Sequence, residues 1–278
     1  MKTGADISHH QKTFDAKRYK DSGEDFIILK ATDAENGDLF TDDTFVARWH
    51  DAGRHKLPRV AYHFARPSHS MRAQADHFIK VVQAAGFHGG DAWALDLEHT
   101  EGQRPAQLVD WSDKWIARVR AALGGVGLFY SSPGFITGSM GSPDHIPGGA
   151  LSWVARYNKT IQSPWQGLPR PAAFPDPPAG WQRTDGNDGR TKSVASVGLC
   201  DFNEMTDAAF AALFSEDDLT KDELLEALES PNGMAILRRV IMTRPGDDDD
   251  PGSLFSKIAD IQHDVDDIKA HLERQGTN

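Results

Sequence analysis

Ala92-Trp93-Ala94-Leu95-Asp96-Leu97-Glu98 reads as a single β-strand carrying two acids. Side chains on a strand alternate between its faces, so Asp96 and Glu98 project together from one face. Leu95 and Leu97 project from the other face, into a packed layer. A strand this apolar belongs in a parallel sheet covered on both sides. Two neighbouring carboxyls cost repulsion and desolvation. A pair at the end of such a strand therefore points to acid–base chemistry.

Similar short runs recur on either side of it. They are Ala5–Ser8, Phe26–Ala31, Arg59–Ala65, Gly127–Ser131, Leu151–Tyr157, Gly180–Arg183 and Gly198–Phe202. Helical patterns fall between many of them. Phe45, Trp49 and Ala52 share a face over 41–54, and Ala73, Phe78, Val81 and Val82 over 70–85. Leu108, Trp111, Trp115, Val119 and Ala122 do so over 105–123. Trp49, Trp111 and Trp115, at helical spacing, are expected in the core. Eight strand candidates alternating with helices predict an α/β fold, an irregular (β/α) barrel of the TIM type. The Pro- and Gly-rich stretch 163–180 predicts a long loop.

The barrel is expected over 1–214, with a C-terminal α-helical appendage. Residues 215–244 read as a short helical segment and 245–252, with four consecutive Asp, as an acidic flexible linker. That run lacks the spacing of a calcium loop. Within 253–278, Leu254, Ile258, Ile261, Val265, Ile268 and Leu272 form a heptad seam, a possible homo-oligomer contact through 253–274.

The chain of 278 residues carries a net charge of −11. Residues 215–278 hold 16 acidic and 7 basic side chains, against 25 and 23 in residues 1–214. No basic surface is available for phosphate, so a nucleic-acid partner is not expected. No apolar run long enough for a membrane span occurs, so membrane insertion is not expected. The opening Met1-Lys2-Thr3-Gly4-Ala5-Asp6 shows no signal-peptide pattern: either export takes another route or a leader has been removed. One cysteine, Cys200, excludes an internal disulfide and a cysteine-cluster zinc site.

In a barrel, functional side chains gather at the C-terminal ends of the strands. Here those ends carry Asp6, Tyr62 and His63, Asp96 and Glu98, Tyr130, Arg156 and Tyr157, Gln182, and Asp201. Converging acids with Tyr and Trp describe a carbohydrate cleft, because sugars stack on aromatic rings. Paired carboxyls are the usual equipment for cutting a glycosidic bond. The twelve histidines include no His-Glu-x-x-His helix. His9 and His10 are adjacent, which should point their rings apart. No metal and no cofactor is implied.

At these residues the sequence resembles the family-25 glycoside hydrolases, lysozymes that cleave peptidoglycan as N-acetylmuramidases. Gly4-Ala5-Asp6-Ile7-Ser8 with Gln11 is similar to the family's opening, and Phe26–Thr32 to its second strand. Ala61-Tyr62-His63-Phe64-Ala65 resembles the third strand and Leu95-Asp96-Leu97-Glu98 the catalytic Asp-x-Glu. Leu151–Tyr157, Trp181-Gln182 and Asp201-Phe202-Asn203 complete the series. The resemblance covers roughly residues 3–205. It departs from the pattern where the family has Glu-Gly after Lys-Ala-Thr: here Asp33-Ala34-Glu35 follows.

The resemblance implies a β-1,4 cut between N-acetylmuramic acid and N-acetylglucosamine, with cell-wall peptidoglycan as partner. Glu98 would be the general acid, its pKa raised by burial and by the Asp96 charge. Asp96 would stay ionised, acting on the substrate's acetamido group, the anomeric carbon or a water. Asp6 and Asp201 would line the cleft. Tyr62, His63, Tyr130, Trp153, Tyr157, Trp181 and Gln182 would contact sugar. The context resembles a phage endolysin, held in the host cytoplasm until it reaches the wall; a secreted autolysin is the alternative. Other readings of the same residues are a glycosidase acting on chitin, a non-catalytic glycan-binding module and a zinc amidase.

Overall fold

A computed structural model describes residues 1–189 and 193–214. The expected segments 215–244, 245–252 and 253–278 lie outside the described residues. Eight strands close a barrel: β1 (Lys2–Ile7), β2 (Phe26–Asp33), β3 (Arg59–Phe64), β4 (Ala92–Asp96), β5 (Leu128–Ser131), β6 (Leu151–Ala155), β7 (Gly180–Thr184) and β8 (Asp201–Met205). β1 to β7 run parallel in chain order. β8 is antiparallel to β7 and to β1, and its pairing with β1 closes the circle.

The alternation read from 92–98 sorts the core into two layers. Ala92 and Ala94 join Phe26, Ile28, Val60, Leu128, Tyr130 and Trp153 inside the barrel. Small alanines leave room there for the two large rings. Trp93, Leu95 and Leu97 face outward, into the layer that holds Phe45, Trp49, Phe78, Trp115 and Val119. Those residues come from helices α2 (Phe45–Arg54), α3 (Met71–Ala84) and α4 (Pro105–Leu123), which cover β2 to β5. Trp49 and Trp115 are fully buried and Trp111 nearly so, as helical spacing predicted.

The first and last helices escape the periodicity because they are short. They are α1 (Ala16–Asp21), ahead of α2 in the chain, and α5 (Asp207–Phe214), after α4. Tyr19 of α1 is fully buried; its hydroxyl accepts from Ala5 N and donates to Phe26 O, stitching β1 to β2. Ala209 and Leu213 of α5 close the barrel floor. The later half is irregular, as expected: a π-helical turn at Phe135–Ser139 follows β5, and neither helix nor strand occurs over 156–179.

The last strand differs from its expected position. Gly198–Leu199 pairs only with Ser193–Val194 in a separate ribbon, with Leu199 mostly exposed. The barrel strand starts at Asp201 and runs the other way. Its first residue thus sits where the other strands end, and Asp6 and Asp201 are direct partners in register.

Candidate active site

A cavity of about 190 Å³ opens at the C-terminal ends of the parallel strands. Asp6, Tyr62, Asp96, Glu98, Tyr130, Trp153, Gln182 and Asp201 line it. These eight of the expected site residues come from seven of the eight barrel strands, Glu98 from just past the end of β4. Three others stand elsewhere. His63 alternates with Tyr62 and so faces outward; it is fully buried, stacked on Trp115 at 5.4 Å, and bonded to Thr32 Oγ1 and Gln74 Oε1. Trp181 alternates with Gln182 and lies under the Arg183 guanidinium at 3.7 Å, its Nε1 donating to Arg156 O. Tyr157 stands at the rim, about one third exposed. His63 and Trp181 are excluded from the cavity wall because adjacent strand residues cannot face the same side.

A hydrogen-bond circuit fixes Asp6. Its Oδ2 accepts from Gln182 Nε2 at 2.9 Å and Asn203 Nδ2 at 2.7 Å. Gln182 Oε1 in turn accepts from the Tyr130 and Tyr157 hydroxyls at 2.7 and 2.5 Å. Asn203 Oδ1 accepts from Trp153 Nε1 at 2.8 Å. Each amide oxygen is committed to aromatic donors, so both amide nitrogens must face the carboxylate. Asn203 was quoted within a motif but not singled out; its signal was the Asp-x-Asn spacing, which puts it on the same strand face as Asp201.

The four acids lie as two neighbouring pairs, Asp6 with Asp201 and Asp96 with Glu98, and each is raised above its ordinary pKa. Burial raises the pKa of Asp6, opposed by the amide donors of Asn203 and Gln182. Burial, then the Asp6 charge, pushes Asp201 up to about 9. Desolvation by the cleft walls raises Glu98, and the nearby Asp6 charge adds to it while His99 opposes. Asp96 is only 5 % exposed and is raised well above the usual carboxylate range, by burial first and the Glu98 charge second, with Lys30 opposing. Burial thus opposes the ionised Asp96 that the resemblance implies. Asp96 is more deeply buried than Glu98, so burial opposes its charge until a hydrogen-bond donor satisfies it. Asp96 Oδ1 has no hydrogen-bond partner, which is costly for a buried carboxyl oxygen.

Lys30 also lines the cavity, and sequence reading passed over it as a strand residue. Asp33 and Glu35, left open by the departure from the family pattern, are now placed. Asp33 is buried and paired with Lys30 Nζ at 2.8 Å and Arg66 Nε at 2.9 Å. Burial opposes its ionisation, but those hydrogen bonds hold its pKa below the ordinary value. Glu35 is exposed on a 3-10 turn outside the cavity. His9 and His10 lie in a turn after β1, where strand alternation does not apply; their rings meet at 4.1 Å instead of diverging. Among the described residues no His, Cys, Asp or Glu cluster is arranged to hold a metal.

The family model for glycosyl hydrolases family 25 matches residues 5–189. The chain belongs to that family. This family-25 chain is 28% identical over 182 residues to lysozyme M1 of Streptomyces globisporus, covering 60% of this chain and 58% of that protein. It is 30% identical over 160 residues to an N,O-diacetylmuramidase of Chalaropsis, covering 50% of this chain and 70% of that one. It thus spans little more than half of the Streptomyces relative. The family-25 fold also matches the crystal structure of a bacterial lysozyme from Streptomyces coelicolor, with a TM-score of 0.65 and 26% identity over 77% of this chain and 98% of that one.

Proposed function

We propose that this family-25 domain is a muramidase, cutting the β-1,4 bond between N-acetylmuramic acid and N-acetylglucosamine in bacterial peptidoglycan. The observation that carries the reading is the Asp96–Glu98 pair in a cleft lined by all eight barrel strands, one carboxyl buried and the other open to solvent. An accessible acid with a raised pKa is what a leaving sugar oxygen requires.

The roles divide as follows. Asp96 Oδ1 takes the N–H of the substrate's acetamido group, the donor it lacks in the resting site. That bond favours the ionised form of Asp96 and leaves Glu98, whose pKa is raised, as the proton donor. Glu98 then protonates the glycosidic oxygen. Asp6, held by Gln182 and Asn203, and Asp201, holding its own proton, border the reacting sugar. Tyr62, Tyr130 and Trp153 offer ring surface, and Tyr157 extends it at the rim.

The relatives include lysozymes, and no helix among the described residues is long and apolar enough to cross a membrane. Action at the cell wall, by phage-type release or by secretion, follows from the proposed substrate. Mass analysis of digested walls tests the reading: new reducing ends on N-acetylmuramic acid are expected. Reducing ends on N-acetylglucosamine, or freed amino groups, would overturn it.

A further inference from the structure

Among the described residues, Lys30 supplies the one ammonium on a cavity wall that also holds four carboxyls. Its side chain is 11% exposed. An ammonium has three N–H donors. One goes to Asp33 Oδ2 at 2.8 Å, and the Phe64 ring centroid lies 4.8 Å from Nζ. No other protein acceptor reaches Nζ among the described residues. A β-bulge builds this arrangement: Lys30 pairs with Tyr62 but Thr32 pairs with His63, skipping Ala31. The skipped residue brings Asp33 round beside Lys30, and Arg66 holds Asp33 from the far side. Bulges re-aim side chains beside functional sites. His10 lines the same cavity. The cleft is thus polar in two senses, with carboxyls on its floor and a cation with donors to spare on its wall.

From this geometry we propose that Lys30 reads the 3-O-lactyl arm of the substrate. This rests on the muramidase reading above. N-acetylmuramic acid differs from N-acetylglucosamine only by that arm, which ends in an acceptor-only carboxylate when free and in an amide, with a carbonyl acceptor and an N–H donor, where a peptide is attached. The acetamido N–H, present on both sugars, is a donor and belongs with Asp96. The arm, repelled by the acids of the floor, finds its complement on the Lys30 wall. Lys30 is thus a specificity-determining residue that favours peptidoglycan strands over chitin.

Binding to the Glu98→Gln variant, which removes turnover, tests this by calorimetry. Two ligands of equal length serve: peptide-free peptidoglycan strands, with a free lactyl carboxylate on alternate sugars, and chitooligosaccharides. Adding Lys30→Met is expected to weaken the lactyl-bearing strand about tenfold or more, and the chitooligosaccharide by less than about threefold. Lys30→Arg is expected to restore part of the difference, and Lys30→Gln serves if the Met variant does not fold. Equal losses for both ligands would overturn the proposal and leave Lys30 a tuner of the carboxyl pair. The muramidase reading fails separately, if the wild type releases no muramic reducing ends. Absence of lactyl-strand binding to Glu98→Gln would overturn the Lys30 proposal outright.

Discussion

The Asn203 amide donates to Asp6 Oδ2 at 2.7 Å across the seam where the last strand runs antiparallel to the first. The same amide oxygen is occupied by Trp153 Nε1, so Asn203 cannot rotate away without breaking both bonds. Asn203→Leu would leave the Trp153 N–H unpaired and take one of two amide donors from Asp6. It is expected to lose about 1–3 kcal/mol of stability, measured by urea unfolding. Wall-clearing activity is expected to fall further, by on the order of ten- to a hundredfold, as Asp6 loses its orientation.

Asp201 shows a stability cost tied to the site. Its pKa near 9 lies far above the value of an unfolded carboxyl, about 3.9. The folded chain holds this proton more tightly, so the associated stability is full below about pH 4 and is lost as pH climbs through about 9. Asp201→Asn has no proton to lose. It is expected to melt higher than the wild type at pH 8, to lose that advantage at pH 4, and to clear walls poorly at either.

His63 gives the opposite slope. Burial lowers its pKa to about 4, although the Gln74 hydrogen bond opposes this. Below about pH 6.5 the unfolded chain takes a proton that the folded chain refuses, so stability falls between about pH 6.5 and 4, by at most about 3 kcal/mol. Urea midpoints across that window are expected to fall in the wild type and to stay flatter in His63→Gln.

Gly4 tests how tightly β1 must approach β2. A Cβ there would lie 2.3 Å from the Phe26 carbonyl oxygen, which is backbone and cannot turn aside. Gly4→Ala is expected to cost about 1–3 kcal/mol by thermal unfolding. Activity should drop with it, because Asp6 is two residues further along the same strand.

Much of the fold was legible because period-two alternation records burial. The run from Ala92 to Glu98 shows which residues face in and which face out, and the helices around Trp49 and Trp115 show theirs by spacing. Strand direction is not written in that code. Gly198–Leu199 looks as strand-like as Asp201–Met205, and only closure against β1 distinguishes them. In the site, the acids, Tyr62, Tyr130 and Gln182 were legible at strand ends, and Trp153 through the family resemblance. Applied strictly, alternation would have removed His63 beside Tyr62 and Trp181 beside Gln182. Lys30 points inward by the same alternation as Phe26 and Ile28; its partner Asp33 was hidden, because it lies beyond a bulge that breaks the alternation. The burial that raises Asp96 above the usual carboxylate range was hidden too, because it depends on how deeply that carboxyl sits.

The central claim is that Glu98 delivers the proton to the leaving sugar. Turbidity clearing of purified bacterial walls by folded Glu98→Gln, set against the wild type, measures it most directly. The variant is expected to bind walls normally and to clear them about a hundred- to ten-thousandfold more slowly. Clearing within about threefold of the wild type, well short of that general acid–base range, would contradict the account.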